Sequence, residues 1–279
     1  MKSVFDVIKK RYSARNYSSK TIEKDMIKKL KDFLDQNRKG PLGSEVRFDI
    51  IDATDYEHTE LKKFGVYGLI KGPRVFIAGV VKRSEIAMED FGYCMEKNIL
   101  FATDIGFGTC WLGGSLSRST FAQKMNVLED ELLPAVTPIG YTEEKKTLRE
   151  NFIRMIVGAK NRKNPKDLFL DNSINTPLDL DSCGKYSKVL EAVRLAPSAT
   201  NKQPWRIIKD AGNTYHLFMK ENIAYNKALG DIKVQNIDMG IAMCHFELVA
   251  IELGLRGAWE IKNPSLEPGD LKYIVSWVG

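Results

Sequence analysis

Apolar residues recur at helical spacing early in the chain. Ile22, Met26, Ile27, Leu30, Phe33 and Leu34 form one stripe, with Thr21 as its N-cap, and Asn37-Arg-Lys-Gly-Pro-Leu-Gly43 ends the run. Ahead of it, Phe5, Ile8 and Lys9 predict a short helix leading into Arg11-Tyr-Ser-Ala-Arg-Asn-Tyr17. Residues 46–51 alternate like a half-buried strand, and 74–81 are apolar throughout, like a central one. Residues 57–72 are mixed and predict a short helix plus loop. Ser84 to Gly106 is the strongest helix of this half, apolar almost all round through Ile86, Phe91, Met95, Ile99, Leu100, Ala102 and Ile105. A small helix over 117–125 and a strand over 132–141 complete it.

Residues 149–175 are charged or polar around a few apolar positions and read as a connector. A second unit follows: a helix over 185–195, strands over 205–209 and 214–219, a long helix over 232–253 and a last strand over 272–278. Pro197 stops the first of these helices, since it has no N–H to donate and clashes with the preceding turn. In Leu195-Ala-Pro-Ser-Ala-Thr-Asn-Lys-Gln-Pro-Trp-Arg206, hydroxyls and amides crowd between two rigid elements. On composition alone this is an ordinary helix-to-strand turn.

The two units share a pattern. Asp90-Phe-Gly-Tyr-Cys-Met95 aligns with Asp238-Met-Gly-Ile-Ala-Met243, and without a gap Leu100, Ala102, Gly106 and Trp111 meet Leu248, Ala250, Gly254 and Trp259. Further on, Leu132, Val136 and Gly140 align with Leu271, Val275 and Gly279. Any two amphipathic helices share apolar positions; two glycines, an aspartate and a tryptophan in one register predict a duplication. A duplicated half packed on its own copy imitates a symmetric homodimer inside one chain, with the core formed across the interface. The halves span 1–165 and 172–279 and form one intertwined α+β unit.

Composition narrows the chemistry. At 43% hydrophobic and 28% charged, the 279-residue chain is ordinary for a globular protein. No apolar run nears the ~20 residues that span a bilayer, and Met1-Lys-Ser-Val-Phe-Asp6 is no signal peptide, so a cytoplasmic protein without membrane contact is expected. Four scattered cysteines and three histidines have no metal-ligand spacing. The net charge of +6 is dispersed; the clusters Lys145-Lys146 and Lys160-Asn-Arg-Lys163 suit a phosphate group and not a nucleic acid. Gly106-Phe-Gly108 follows a helix and lacks a third glycine at the required spacing, which excludes a dinucleotide fingerprint.

Arg11-x-Ser13-x-Arg15, Ala196-Pro-Ser-x-x-Asn201-x-Gln203-Pro-Trp205, Gly108-Thr-Cys-Trp-Leu-Gly-Gly114 and Lys160-x-Arg162 together resemble the nitroreductase family of flavin enzymes, and most of all its tandem, single-chain branch. The resemblance implies a nitroreductase-like α+β fold of two tandem half-repeats forming an intrachain pseudo-dimer. It implies FMN at the interface of the halves and electrons passing from NAD(P)H to nitro compounds, quinones or a related small-molecule acceptor. By the same resemblance, Arg11, Ser13 and Arg15 bind the FMN phosphate, with Tyr12 contributing backbone and Lys160 and Arg162 adding a second basic contact. Ser198 and Asn201 meet the ring and ribityl chain, Pro197 lies against the flavin, and the backbone of Ala258 and Trp259 lies along one ring face. No side chain is assigned as catalytic acid or base, and Tyr67, Tyr93 and Phe107 are read as core aromatics before pocket ones.

Each half departs from the family where the other keeps to it. Asn37–Ser44 stands where the first half should carry the Pro-Ser turn, and Asp181-Ser-Cys-Gly-Lys-Tyr-Ser187 carries no Arg-x-Ser-x-Arg. One complete set of parts survives, so one FMN per chain and a pseudo-dimeric monomer are expected. Two other readings keep the flavin: a reductive step such as dehalogenation on a specific metabolite or a flavin reductase, and a flavin-binding regulatory or storage protein.

Overall fold

The computed structural model describes residues 3–56, 70–113, 117–143, 161–222 and 230–279. Its helices are α1 (Val4–Lys10), α2 (Lys24–Gln36), α3 (Ala87–Asp104), α4 (Arg118–Lys124), α5 (Pro165–Leu168), α6 (Tyr186–Leu195) and α7 (Val234–Glu252). One sheet orders β1 (Val46–Asp52), β2 (Val75–Lys82), β5 (Val136–Gly140) and β3 (Gly108–Thr109), all antiparallel, with β4 (Glu131–Leu132) on the far stretch of β2. The other orders β6 (Phe169–Asp171), β7 (Trp205–Lys209), β8 (Thr214–Lys220), β10 (Leu271–Val278) and β9 (Ala258–Glu260). Apart from β6, the second sheet repeats the strand order of the first.

Each long helix packs on the sheet of its own half and on the other helix. α3 and α7 are apolar almost all round because they are covered on nearly every side, and one core cluster runs through both halves from Leu30 and Phe91 to Trp205 and Phe246. β2 shows why a strand can be apolar throughout. Val75 and Ile77 enter that shared core, while Phe76, Ala78 and Val80 alternate into a separate cluster with Phe121 and Met125 behind the sheet. Trp205, Cys94 and Cys244 are fully buried core residues.

The repeat extends to a strand irregularity. Leu132 pairs with Val81 and Val136 with Ala78, so four steps on one strand face three on the other. Leu271 and Val275 face Lys220 and Leu217 with the same one-residue slip. The first half breaks there, splitting the single strand expected over 132–141 into β4 and β5, because Pro134 has no N–H for a ladder. The second half carries the slip as a bulge within β10.

Two further expectations need correction. α2 begins at Lys24 with Glu23 in the cap position and no side-chain cap hydrogen bond, so Thr21 lies too early to cap it. The stretch read as a connector contains α5, capped by the Asn164 side chain, and β6, which pairs parallel to β7 through Phe169 and Leu170. Three residues are too few for periodicity to reveal, and only the partner strand makes them a strand. The helix and loop expected over 57–72 lie largely outside the described residues. Among the described residues no helix is long and apolar enough to cross a membrane.

Candidate functional site

α1 starts on a carboxylate from the far end of the chain. Glu252 of α7 accepts from the Val4 N–H at 2.7 Å and from the Ser3 hydroxyl at 3.1 Å, satisfying donors that a helix N-terminus leaves open. The first helix is thereby fixed to the second half. The chain leaves it at Arg11 in extended geometry, φ −59° and ψ 131°. Ser13 then bridges Thr109 in parallel, and the Ala14 N–H donates to the Thr109 carbonyl at 2.8 Å. An extended chain alternates its side chains. Tyr12 and Ala14 join the apolar cluster behind the first sheet, which leaves the opposite side to Arg11, Ser13 and Arg15. The Arg-x-Ser-x-Arg spacing is that alternation written in sequence.

Arg11 is nearly covered, with its Nε 3.9 Å from Oε1 of the fully buried Glu96. The Arg15 guanidinium turns back to the Ser13 carbonyl at 3.5 Å. A hollow of about 80 Å³ opens between Lys10, Arg11, Tyr12, Gly108 and Thr109, and the buried Thr109 hydroxyl has no partner among the described residues.

The turn after α6 is strained and heavily tied. Thr200, Asn201 and Gln203 have φ of 48°, 55° and 48°, a region tolerable for asparagine and rare for a β-branched threonine. Such backbone persists where its neighbours over-determine it. Ser198 Oγ accepts from the Gln203 N–H at 2.9 Å, and Asp238 Oδ1 of α7 accepts from the Ala199 N–H at 2.9 Å. Gln203 Oε1 accepts from the Lys163 N–H, also at 2.9 Å. The Asn201 amide is engaged at both ends: Arg162 Nη1 donates to its Oδ1 and its Nδ2 donates to the Asn161 carbonyl, each at 2.7 Å. Arg162 Nη2 also donates to the Leu195 carbonyl at 2.9 Å, closing the end of α6.

Arg162 connects the two stretches. Burial, and after it the nearby Arg11 and Arg194, pull its guanidinium down to about 10. The group stays charged at neutral pH; burial is the larger cause of the shift, and the two neighbouring guanidiniums add positive charge to the same corner. Arg11 from the first half therefore shares a neighbourhood with Arg162, Asn201 and the Ser198 turn. Ala258 and Trp259 stand apart. Ala258 is exposed on β9, and the buried Trp259 donates its indole N–H to Glu247 at 2.8 Å and packs on Phe246 and Trp277. No hydrogen bond or ring contact among the described residues joins either to the clamp or the turn. Tyr93 and Phe107 are buried. Lys160 and Tyr67 lie outside the described residues.

The sequence pattern marks Asp238 only as a repeat position and gives no role to Glu96 or His245. Their signal is a charged or polar residue in a helix that is apolar all round, where burial requires a partner.

A sequence profile of the family described as "Putative TM nitroreductase" matches residues 3–250. The crystal structure of a putative nitroreductase from Thermotoga maritima superposes with a TM-score of 0.62 at 19% identity, covering 99% of this chain and 93% of that one. A nitroreductase family protein from Clostridium difficile matches with a TM-score of 0.41 at 19% identity, over 56% of this chain and 92% of its own. An FMN-dependent nitroreductase from the same organism matches with a TM-score of 0.39 at 19% identity, over 50% and 88%. No curated protein matches the sequence.

Proposed function

The chain belongs to the family described as "Putative TM nitroreductase", and on that premise we propose that it is an FMN-dependent oxidoreductase. Its donor is NAD(P)H, and its acceptors are nitro compounds, quinones or a related electron-poor small molecule. The residues present fit FMN. A phosphate monoester asks for guanidinium forks and hydroxyl donors. Arg11, Ser13 and Arg15 on one side of an extended segment meet that need, with the Thr109 hydroxyl, unpartnered among the described residues, at the adjoining hollow.

The observation that carries the reading is Arg162, close to Arg11 and bonded to Asn201, because it joins a phosphate clamp to the ligand turn. Lys160 is assigned beside it, and Tyr12 lends backbone to the clamp. Pro197 and Ser198 are assigned to the ring and ribityl end, Ser198 with its hydroxyl proton still to donate. Asn201 is assigned to the same end, where binding exchanges one of its present bonds for one to the ligand. The backbone of Ala258 and Trp259 is assigned to one ring face. Bound there, FMN supplies the hydride and electron transfer, so no side chain is assigned as acid or base.

The reading includes one FMN per chain in a pseudo-dimeric monomer. Asp90 accepts from the Leu42 and Ser44 N–H groups as Asp238 accepts from Ala199, so 37–44 occupies the place reciprocal to the ligand turn without its motif. The test is oxidation of NADH or NADPH by FMN-loaded protein with a nitroaromatic or quinone acceptor. Sustained turnover supports the enzyme; tightly bound FMN that neither nicotinamide reduces contradicts it.

A further inference from the structure

A chain of buried contacts runs from Arg11 towards the ligand turn. Glu96 of α3 is its centre. Its Oε2 accepts from the Trp111 indole N–H at 2.7 Å, and its Oε1 lies 3.0 Å from His245 Nε2 and 3.9 Å from Arg11 Nε. His245 of α7, also fully buried, directs Nδ1 to the Ala192 carbonyl at 2.9 Å. Ala192 lies in α6, the helix that ends at Leu195 and opens into the turn, and Arg162 holds that end.

A carbonyl only accepts, so His245 donates through Nδ1 to Ala192 and turns Nε2 to the Glu96 carboxyl. Glu96 stands on the Nε side of Arg11. The two terminal nitrogens of the fork make no hydrogen bond among the described residues, and a guanidinium can present that pair to phosphate oxygens. Buried ionic groups rarely outdo apolar residues of equal volume as packing, so stability alone is a weak reason for this set.

We propose that Glu96 and His245 are positioning residues for Arg11. They aim its fork at the ligand phosphate and hold it at a fixed separation from α6 and its turn, so that the two half-sites form together. The proposal rests on the phosphate-clamp reading of Arg11.

The test compares FMN with riboflavin, which lacks the phosphate, by titration of the full chain. The wild type should favour FMN by about a hundredfold, the scale of a charge-assisted contact set. Glu96→Gln keeps the shape and removes the carboxylate. It should weaken FMN about tenfold and leave riboflavin within about twofold; His245→Gln should do the same, and the double variant no more. Parallel loss of both ligands, or unchanged FMN affinity in both single variants, would overturn the proposal. Equal wild-type affinities for FMN and riboflavin would overturn the clamp itself, so the two failures are distinct. Should Glu96→Gln not fold, His245→Gln decides alone: a selective loss of FMN affinity supports the proposal, and unchanged affinity overturns it.

Discussion

Gly240 of α7 lies against the backbone carbonyl of Glu89 in α3, so closely that a Cβ on the glycine would stand 1.9 Å from that oxygen. The reverse contact repeats it: a Cβ on Gly92 would stand 2.2 Å from the Ile237 carbonyl oxygen. Glu89 aligns with Ile237 as Gly92 does with Gly240. Reciprocal contacts of this kind define an isologous interface, here inside one chain. The close crossing is also what lets Glu96 of one helix reach His245 of the other.

Gly240→Ala and Gly92→Ala should each push the helices apart, since the obstacle is backbone and cannot rotate away. Each is expected to cost about 2 kcal/mol, lowering the Tm by roughly 4–8 °C in thermal unfolding followed by circular dichroism. An unchanged Tm would contradict the crossing.

Much of this was legible beforehand, and the rest was not for identifiable reasons. α3 and α7 announced themselves by length and apolar periodicity, and the alignment of Gly92 with Gly240 pointed to a duplication but not to the close contact each glycine makes. The alternation of Arg11, Ser13 and Arg15 needed only an extended chain to become one face. β6 left no signal, because its three residues are a strand only beside β7. The Glu96–His245 pair was equally hidden: each residue alone is an unexplained polar position, and only the helix crossing brings them together. Asn201 could be singled out by type, but not the fact that Arg162 and Asn161 already hold its amide.

Asp238 makes stability depend on pH. Its Oδ1 accepts from Ala199, its buried Oδ2 has no partner among the described residues, and burial raises its pKa well above the carboxylate range. A carboxyl whose folded pKa exceeds its unfolded one holds its proton more tightly in the folded state. Its stabilising contribution is therefore complete below about pH 4 and declines as pH rises from there through the folded pKa. Asp238→Asn should flatten that decline in urea unfolding between pH 4 and 8. Identical slopes for variant and wild type would show that Asp238 does not titrate this way.

Thr200 carries a positive φ of 48° on an exposed, β-branched residue. Thr200→Asn relieves that strain and is expected to stabilise the protein by about 1 kcal/mol, read from the urea midpoint. Destabilisation would mean that the threonine is held there by a contact the variant has lost.

Arg15→Gln and Asn201→Ala act at opposite ends of the chain on one proposed ligand. Each should weaken FMN binding by about tenfold in calorimetric titration. A loss in only one of the two would break the composite site.

The central claim is a single flavin site assembled from two unlike halves. Flavin absorbance of protein saturated with FMN and freed of excess, divided by chain concentration, measures it directly. One FMN per chain is the expected result; two per chain, or a protein that stays colourless, would contradict it.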